Sequence, residues 1–276
     1  MDFVFRRIYR GPVKAVIFDL AGTTVDYGSC APAGSFIELF KRHDIEITNK
    51  QAREPMGMHK KDHIRTILQM EPVSKQWENK QDRRWNEDDV SSMYEEFIPI
   101  QLECLPDYLE LIPGTLEIFS KLLARNIKIG VTTGYNREML DLITDGIEKQ
   151  GFVPDLAICA TDVPGGRPAP WMIFKSMQDM NVYPPESVIK IGDTIPDIEA
   201  GLNAGVWTVG VAKTGNMLGM GYDEMTSMSD EELAPLMVSA YESMYKAGAQ
   251  YVVDGVGESM KAIYDITKKV EDGERP

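Results

Sequence analysis

The run Val13-Lys14-Ala15-Val16-Ile17-Phe18-Asp19-Leu20-Ala21-Gly22-Thr23-Thr24 constrains the fold more than any other stretch of the chain. Its apolar part, 15–18, is short and rich in β-branched and aromatic residues, the pattern of a strand buried on both faces of a parallel sheet. A carboxylate and a Gly-Thr-Thr turn follow at once. Asp19 is therefore expected at the carboxyl end of a strand, the edge at which open α/β sheets bind ligands. On this stretch alone, Asp19 reads equally well as a cap for the following turn.

Two further stretches behave in the same way. Ile129-Gly130-Val131-Thr132-Thr133-Gly134 is an apolar run ending in hydroxyls and Gly, and Val188-Ile189-Lys190-Ile191-Gly192-Asp193-Thr194-Ile195-Pro196-Asp197 ends in carboxylates, with Gly165-Gly166-Arg167-Pro168 between them. From 111 onward the periodicity predicts strands over 127–131, 156–159, 188–191, 206–211 and 251–253. Helices are predicted between them, over 114–124, 137–149, 170–180, 197–203, 231–247 and 258–269. Alternation of this kind gives an α/β fold with a doubly wound parallel-sheet, Rossmann-like core. Residues 26–106 depart from it. Apolar faces at Phe36, Ile37, Leu39 and Phe40, at Ile64, Ile67 and Leu68, and at Met93, Phe97, Ile100 and Leu102 predict helices, around a polar stretch, 76–89, that carries Trp77 and Trp85 among many charges. The expected organisation is a core of 1–25 and 107–276 with an inserted all-helical domain over 26–106. The methionines of 217–228 read as flexible packing, and the charged tail after Lys269 is expected to fray.

Composition narrows the function classes. With 276 residues and 43% apolar content, the chain can bury one large core and a smaller domain. A net charge of −14 argues against nucleic-acid binding and against attraction to an anionic membrane, so an anionic substrate would need a local cationic pocket. Cys30, Cys104 and Cys159 are odd in number and widely spaced, as reduced thiols of a cytoplasmic protein are. Met1–Arg10 is too charged for a signal peptide, and no run of about 18 apolar residues offers a membrane span.

In order and strand-end placement, the stretches around Asp19, Thr133, Arg167 and Asp193/Asp197 resemble the haloacid dehalogenase superfamily. Its hallmark is a nucleophilic Asp after the first strand, a Ser/Thr after the second, a basic residue and a final acidic pair. The helical insertion after the nucleophile loop matches a cap that closes over the catalytic face. The resemblance implies Asp19 as nucleophile, and Thr133, Gly134 and Arg167 as ligands of a phosphorus group. It implies Asp19, Asp193, Asp197 and the Ala21 backbone carbonyl as ligands of Mg²⁺. Each role suits its chemistry: a transferred phosphoryl group needs a hard cation and fixed donors, glycine allows close backbone approach, and a guanidinium matches phosphorus oxygens.

One position departs from the superfamily pattern. Ala21 stands two residues after the nucleophile, where phosphatases of the superfamily carry an Asp that protonates the departing alcohol. A leaving group that needs no acid there, such as carbon, fits better. A carbon–phosphorus bond breaks when the carbon can shed its electrons, and a lysine imine on a neighbouring aldehyde accepts them. Lys60, in Pro55-Met56-Gly57-Met58-His59-Lys60-Lys61-Asp62-His63, is the candidate, with Lys61 beside it to lower its pKa and cap closure to desolvate it. The runs Asp19 to Gly28, Pro55 to His63, Thr132 to Tyr135 and Gly166 to Trp171 resemble the phosphonoacetaldehyde hydrolase family over nearly the whole chain. That resemblance implies a small phosphonate substrate, an imine on Lys60, His63 in proton transfer, Met56 beside the imine, and Gly57 where the cap loop nears the core. It also implies a homodimer through the caps, with which Trp77, Trp85 and Phe97 are compatible. Ser29 stands where some relatives carry Cys, with Cys30 next to it, so no thiol role is carried over.

Other readings are weaker. His59 and His63 have metal-ligand spacing, but Lys60 stands where a zincin needs Glu. A capped phosphatase or phosphomutase is disfavoured by Ala21, and a metal-free dehalogenase leaves Asp193 and Asp197 without purpose. A non-catalytic protein on this scaffold would not be expected to keep every charged catalytic position.

Overall fold

The computed structural model describes residues 8–276, so the reading of Met1–Arg10 falls, up to Arg7, outside the described residues. One parallel sheet is formed by β1 (Ala15–Asp19), β2 (Lys128–Thr133), β3 (Leu156–Cys159), β4 (Val188–Gly192), β5 (Trp207–Val211) and β6 (Tyr251–Val253). The strand order is β3-β2-β1-β4-β5-β6. β1, β4 and β5 are buried along their whole length, as apolar runs covered on both faces must be. The order reverses at β1, with β2 on one side and β4 on the other, which makes this edge the sheet's topological switch point. Asp19 is in register with Thr132 and Phe18 with Ile191, so Asp19, Thr133 and Asp193 arrive together at the carboxyl ends.

Between β1 and β2 the chain makes the helices of the cap: α1 (Cys30–Arg42), α2 (Asn49–Arg53), α3 (Lys60–Gln69), α4 (Glu71–Gln81) and α5 (Glu87–Cys104). Their apolar faces meet at Phe36, whose ring stacks on Phe97 at 4.5 Å and on His63 at 3.8 Å. The remaining helices, α6 (Thr115–Leu123), α7 (Arg137–Glu148), α8 (Trp171–Asp179), α9 (Ile195–Ala204), α10 (Tyr222–Ser227), α11 (Asp230–Lys246) and α12 (Ser259–Asp272), belong to the core domain.

The structure adds to the sequence reading in three places. The charged stretch at 76–89 begins inside α4, which opens with Pro72 in its first turn and buries only Val73 and Trp77. α10 lies within 217–228 and buries Met225. The tail does not fray at Lys269: α12 continues to Asp272, stops on Gly273 at φ 86°, and Lys269 pairs with Glu274 at 3.0 Å. Trp77 and Phe97 are buried in the cap's own interior, so neither offers a face to a second copy. No helix among the described residues is long and apolar enough to cross a membrane.

Candidate active site

β1 ends on the buried Asp19, whose Oδ1 accepts from Arg167 Nη2 at 2.6 Å. The same Nη2 donates to the Thr132 carbonyl at 2.8 Å and to Thr132 Oγ1 at 2.9 Å, while Nη1 lies 3.0 Å from Asp197 Oδ1. Asp197, in the first turn of α9, also meets Lys190 Nζ at 2.8 Å and accepts from the Thr194 hydroxyl at 2.5 Å. Lys190 and Thr132 were not among the residues singled out from sequence. For Lys190 the signal was present: a lysine inside a fully buried strand needs a buried partner.

Asp193 differs from its neighbours. It is fully buried, yet among the described residues its oxygens take the Thr23 hydroxyl at 3.1 Å and the Asn216 backbone N–H at 2.8 Å, with no cation paired to them. Burial first, and then the charges of Asp19 and Asp197, hold its carboxyl well above the usual range. Burial also raises Asp19, against the opposing pull of Arg167. Burial works the same way on Asp197, but Arg167 and Lys190 outweigh it and leave that carboxyl below the usual range. One oxygen each of Asp19, Asp193 and Asp197 lie within 4.8 Å of one another. The three buried carboxylates form an all-oxygen donor set, and Asp193 is paired with no cation among the described residues, which fits a hard divalent cation.

The cap faces this cluster with Lys60, the first residue of α3, buried to 5% exposure. Its Nζ lies 3.9 Å from Met56 Sδ, 4.8 Å from the Tyr135 ring centre and 5.5 Å from that of Phe36. Burial, with Arg167 acting in the same direction, holds the Lys60 amine down to about 8 against the pull of Asp19. The positive end of α3 adds to this, because a helix N-terminus disfavours an ammonium. Lys61 is not the cause expected from sequence. It sits half-buried one position round the helix, outside the cleft, and the burial of Lys60 does the work.

Met56, Gly57, Thr133, Gly134, Arg167 and Ala21 line the same cleft as Asp19 and Lys60, together with Ser29 and Tyr135. His63 does not reach it. Its ring lies behind Lys60 against Phe36, with Nε2 donating to the Ala52 carbonyl at 2.8 Å and Nδ1 unpartnered. Burial and then the charge of Lys60 hold this imidazole neutral. Thr133 Oγ1 accepts from the Tyr135 N–H at 3.3 Å. The Tyr135 hydroxyl is buried with no hydrogen-bond partner among the described residues.

Glycines set the seam between cap and core. Gly57, at φ 92°, lies so close to Thr194 that a Cβ would collide with the hydroxyl and stand 3.0 Å from Thr194 Cβ. A Cβ on Gly134 would stand 2.5 Å from the Met58 carbonyl, and one on Gly166 would stand 2.9 Å from His59 Cβ. The cavity left between cap and core is about 20 Å³, room for a water molecule and little else. A small phosphonate is larger than this space.

The sequence pattern of the haloacid dehalogenase-like hydrolases matches residues 16–211. A phosphonoacetaldehyde hydrolase of Hahella chejuensis is 41% identical over 276 residues, covering 100% of this chain and 94% of that one. Another, of Paraburkholderia phytofirmans, is 42% identical over 96% of this chain and 99% of its own. The chain belongs to the phosphonoacetaldehyde hydrolase family of haloacid dehalogenase-like hydrolases. Family membership makes it an enzyme of the hydrolase class. The crystal structure of a phosphonoacetaldehyde hydrolase-like protein from Oleispira antarctica superimposes on this hydrolase with a TM-score of 0.98, at 39% identity and complete coverage of both chains.

Proposed function

We propose that this hydrolase cleaves the carbon–phosphorus bond of phosphonoacetaldehyde, giving acetaldehyde and phosphate. The observation that carries the reading is a buried lysine, its amine held down to about 8, sharing a closed cleft with a strand-end aspartate that lacks an acid two residues on. The names of the full-length relatives support the same substrate.

The neutral Lys60 amine adds to the aldehyde and loses water, giving an imine. Asp19, oriented by Arg167 at 2.6 Å, attacks phosphorus; the carbon–phosphorus bond breaks and its electron pair enters the imine as an enamine. The enamine carbon takes a proton, and one water releases acetaldehyde and restores Lys60. A second water cleaves the aspartyl phosphate, so one water is consumed overall. Asp19, Asp193, Asp197 and the Ala21 carbonyl would hold Mg²⁺, which when bound offsets the charge of the phosphoryl oxygens and of the carboxylates around them. Thr133, Gly134 and Arg167 bind the phosphorus group. Met56 packs beside the imine, 3.9 Å from Nζ, and Gly57 lets the cap seal the cleft against water. Family resemblance gives His63 the proton-transfer role; its ring stands outside the cleft, with Nε2 on the Ala52 carbonyl and Nδ1 without a hydrogen-bond partner among the described residues.

In solution, acetaldehyde and phosphate should appear in equal amounts from phosphonoacetaldehyde. Phosphate monoesters of similar size should react at least about a hundredfold more slowly, the lower end of what a missing general acid costs. Monoesters hydrolysed as fast as the phosphonate would make the protein a capped phosphatase. Cytoplasmic residence and a homodimer through the caps belong to the proposal on family resemblance; light scattering that reports a monomer removes the dimer.

A further inference from the structure

Asp193, the carboxylate paired with no cation among the described residues, is oriented from a loop that also grips the cap. Asn216 gives its backbone N–H to Asp193 Oδ2 at 2.8 Å. Its side chain meets Arg53 in both directions: Oδ1 accepts from Arg53 Nη1 at 3.1 Å, and Nδ2 donates to the Arg53 carbonyl at 3.2 Å. Arg53 is the last residue of α2, two positions before the Pro55-Met56-Gly57 turn that seals the cleft. Its guanidinium donates further to the carbonyls of Gly28 at 2.8 Å and Ser29 at 3.2 Å, on the segment that leads from the core into α1. That segment is tied to the same loop by Gly28 N–H, which donates to the Thr214 carbonyl at 2.8 Å. The loop closes over the guanidinium at Gly219, where φ is 65° and a Cβ would stand 2.7 Å from Arg53 Cζ. A solvated arginine has no need of such a fixed set of partners; this one joins the cap turn, the segment leading into α1 and the loop that holds Asp193.

We propose that Arg53 and Asn216 are positioning residues that couple closure of the cap to the orientation of Asp193, an inference that rests on reading Asp19, Asp193 and Asp197 as a metal site. When the cap turn swings away, Arg53 leaves with α2, Asn216 loses both side-chain bonds, and the loop that presents its N–H to Asp193 is no longer pinned. A coupling of this kind is reciprocal: whatever factor closure adds to metal affinity, the bound metal adds to closure. The same link then ties metal binding to the burial of Lys60, which the closed cap brings about. Groups that orient metal ligands typically carry about 10- to 100-fold in affinity. Asn216 orients Asp193 through its backbone, which a side-chain substitution leaves in place, so the expected loss is about tenfold, at the lower end.

The test is direct binding of Mn²⁺, read from the spin-resonance signal of the free ion, to the wild-type protein and to Asp193→Asn, Arg53→Met, Asn216→Ala and the Arg53→Met/Asn216→Ala double variant. The wild type should bind one ion and Asp193→Asn should lose it. Arg53→Met and Asn216→Ala should each bind about tenfold more weakly, and the double variant no more weakly than either single one, because the two residues form one link. Unchanged affinity in both single variants, or losses that multiply in the double, overturns the coupling while leaving the metal site standing. A wild-type protein that binds no Mn²⁺ overturns the metal reading, and the coupling with it. Asn216 lies on a half-exposed loop, so Asn216→Ala carries the test alone if Arg53→Met does not fold.

Discussion

Replacing Lys190 with Met should destabilise this hydrolase more than any surface substitution, for reasons the buried charges make explicit. Lys190 lies in a central strand at 1% exposure, with its ammonium 2.8 Å from Asp197 Oδ1. Among the described residues Lys190 and Arg167 are the two cations paired with Asp197, so removing Lys190 leaves that buried carboxylate one cation in place of two. Removing one member of a buried ion pair costs about 3–5 kcal/mol. Asp197 keeps Arg167 at 3.0 Å and Thr194 at 2.5 Å, which places Lys190→Met near the low end, at about 3 kcal/mol. At roughly 2–4 °C per kcal/mol, Tm should fall by roughly 6–12 °C. The assay is thermal unfolding at pH 7.5, repeated on Lys190→Met/Asp197→Asn. Removing the stranded charge in the double variant should return at least about 1.5 kcal/mol. A Lys190→Met protein within about 1 kcal/mol of wild type, or a double variant that loses the sum of the single losses, would refute the argument.

The neutral Lys60 amine is the nucleophile, so imine trapping at subsaturating substrate should rise about tenfold per pH unit up to about 8 and level off above it; a rise continuing to 10 would mean an unshifted lysine. Gly57→Ala should hold the cap off Thr194 and lower kcat/KM by at least about a hundredfold, with the trapping profile moving to higher pH as Lys60 loses burial. A profile that stays in place would show that Gly57 does not govern closure. Chelation should stop phosphate release and Mg²⁺ should restore it, because Asp193 is paired with no other cation among the described residues. Full turnover in excess chelator would remove the metal from the account.

The sheet was legible because each strand that ends in chemistry is an apolar run closed by a carboxylate, hydroxyl or glycine, and the parallel register then puts those ends side by side. Gly57 and Gly134 were legible from family motifs, and the structure supplies the reason: each lies where a Cβ would meet the opposite domain. Lys61 was misread because adjacency in sequence is not adjacency on a helix; Lys60 lines the cleft and Lys61 does not. α4 escaped notice because its buried face amounts to Val73 and Trp77 amid charges. Arg53 and Asn216 were beyond reach, since hydrogen bonds across 163 residues of sequence leave no periodicity to read.

The imine on Lys60 is the account's central claim, and borohydride in the presence of phosphonoacetaldehyde tests it most directly. Reduction should inactivate the protein, and peptide mass analysis should place the added two-carbon unit on Lys60 alone. Asp19→Asn should block phosphate release yet leave Lys60 open to trapping, and Lys60→Arg should abolish both. An adduct on Lys61, or a Lys60→Arg protein that releases phosphate from phosphonoacetaldehyde at near the wild-type rate, would contradict the account.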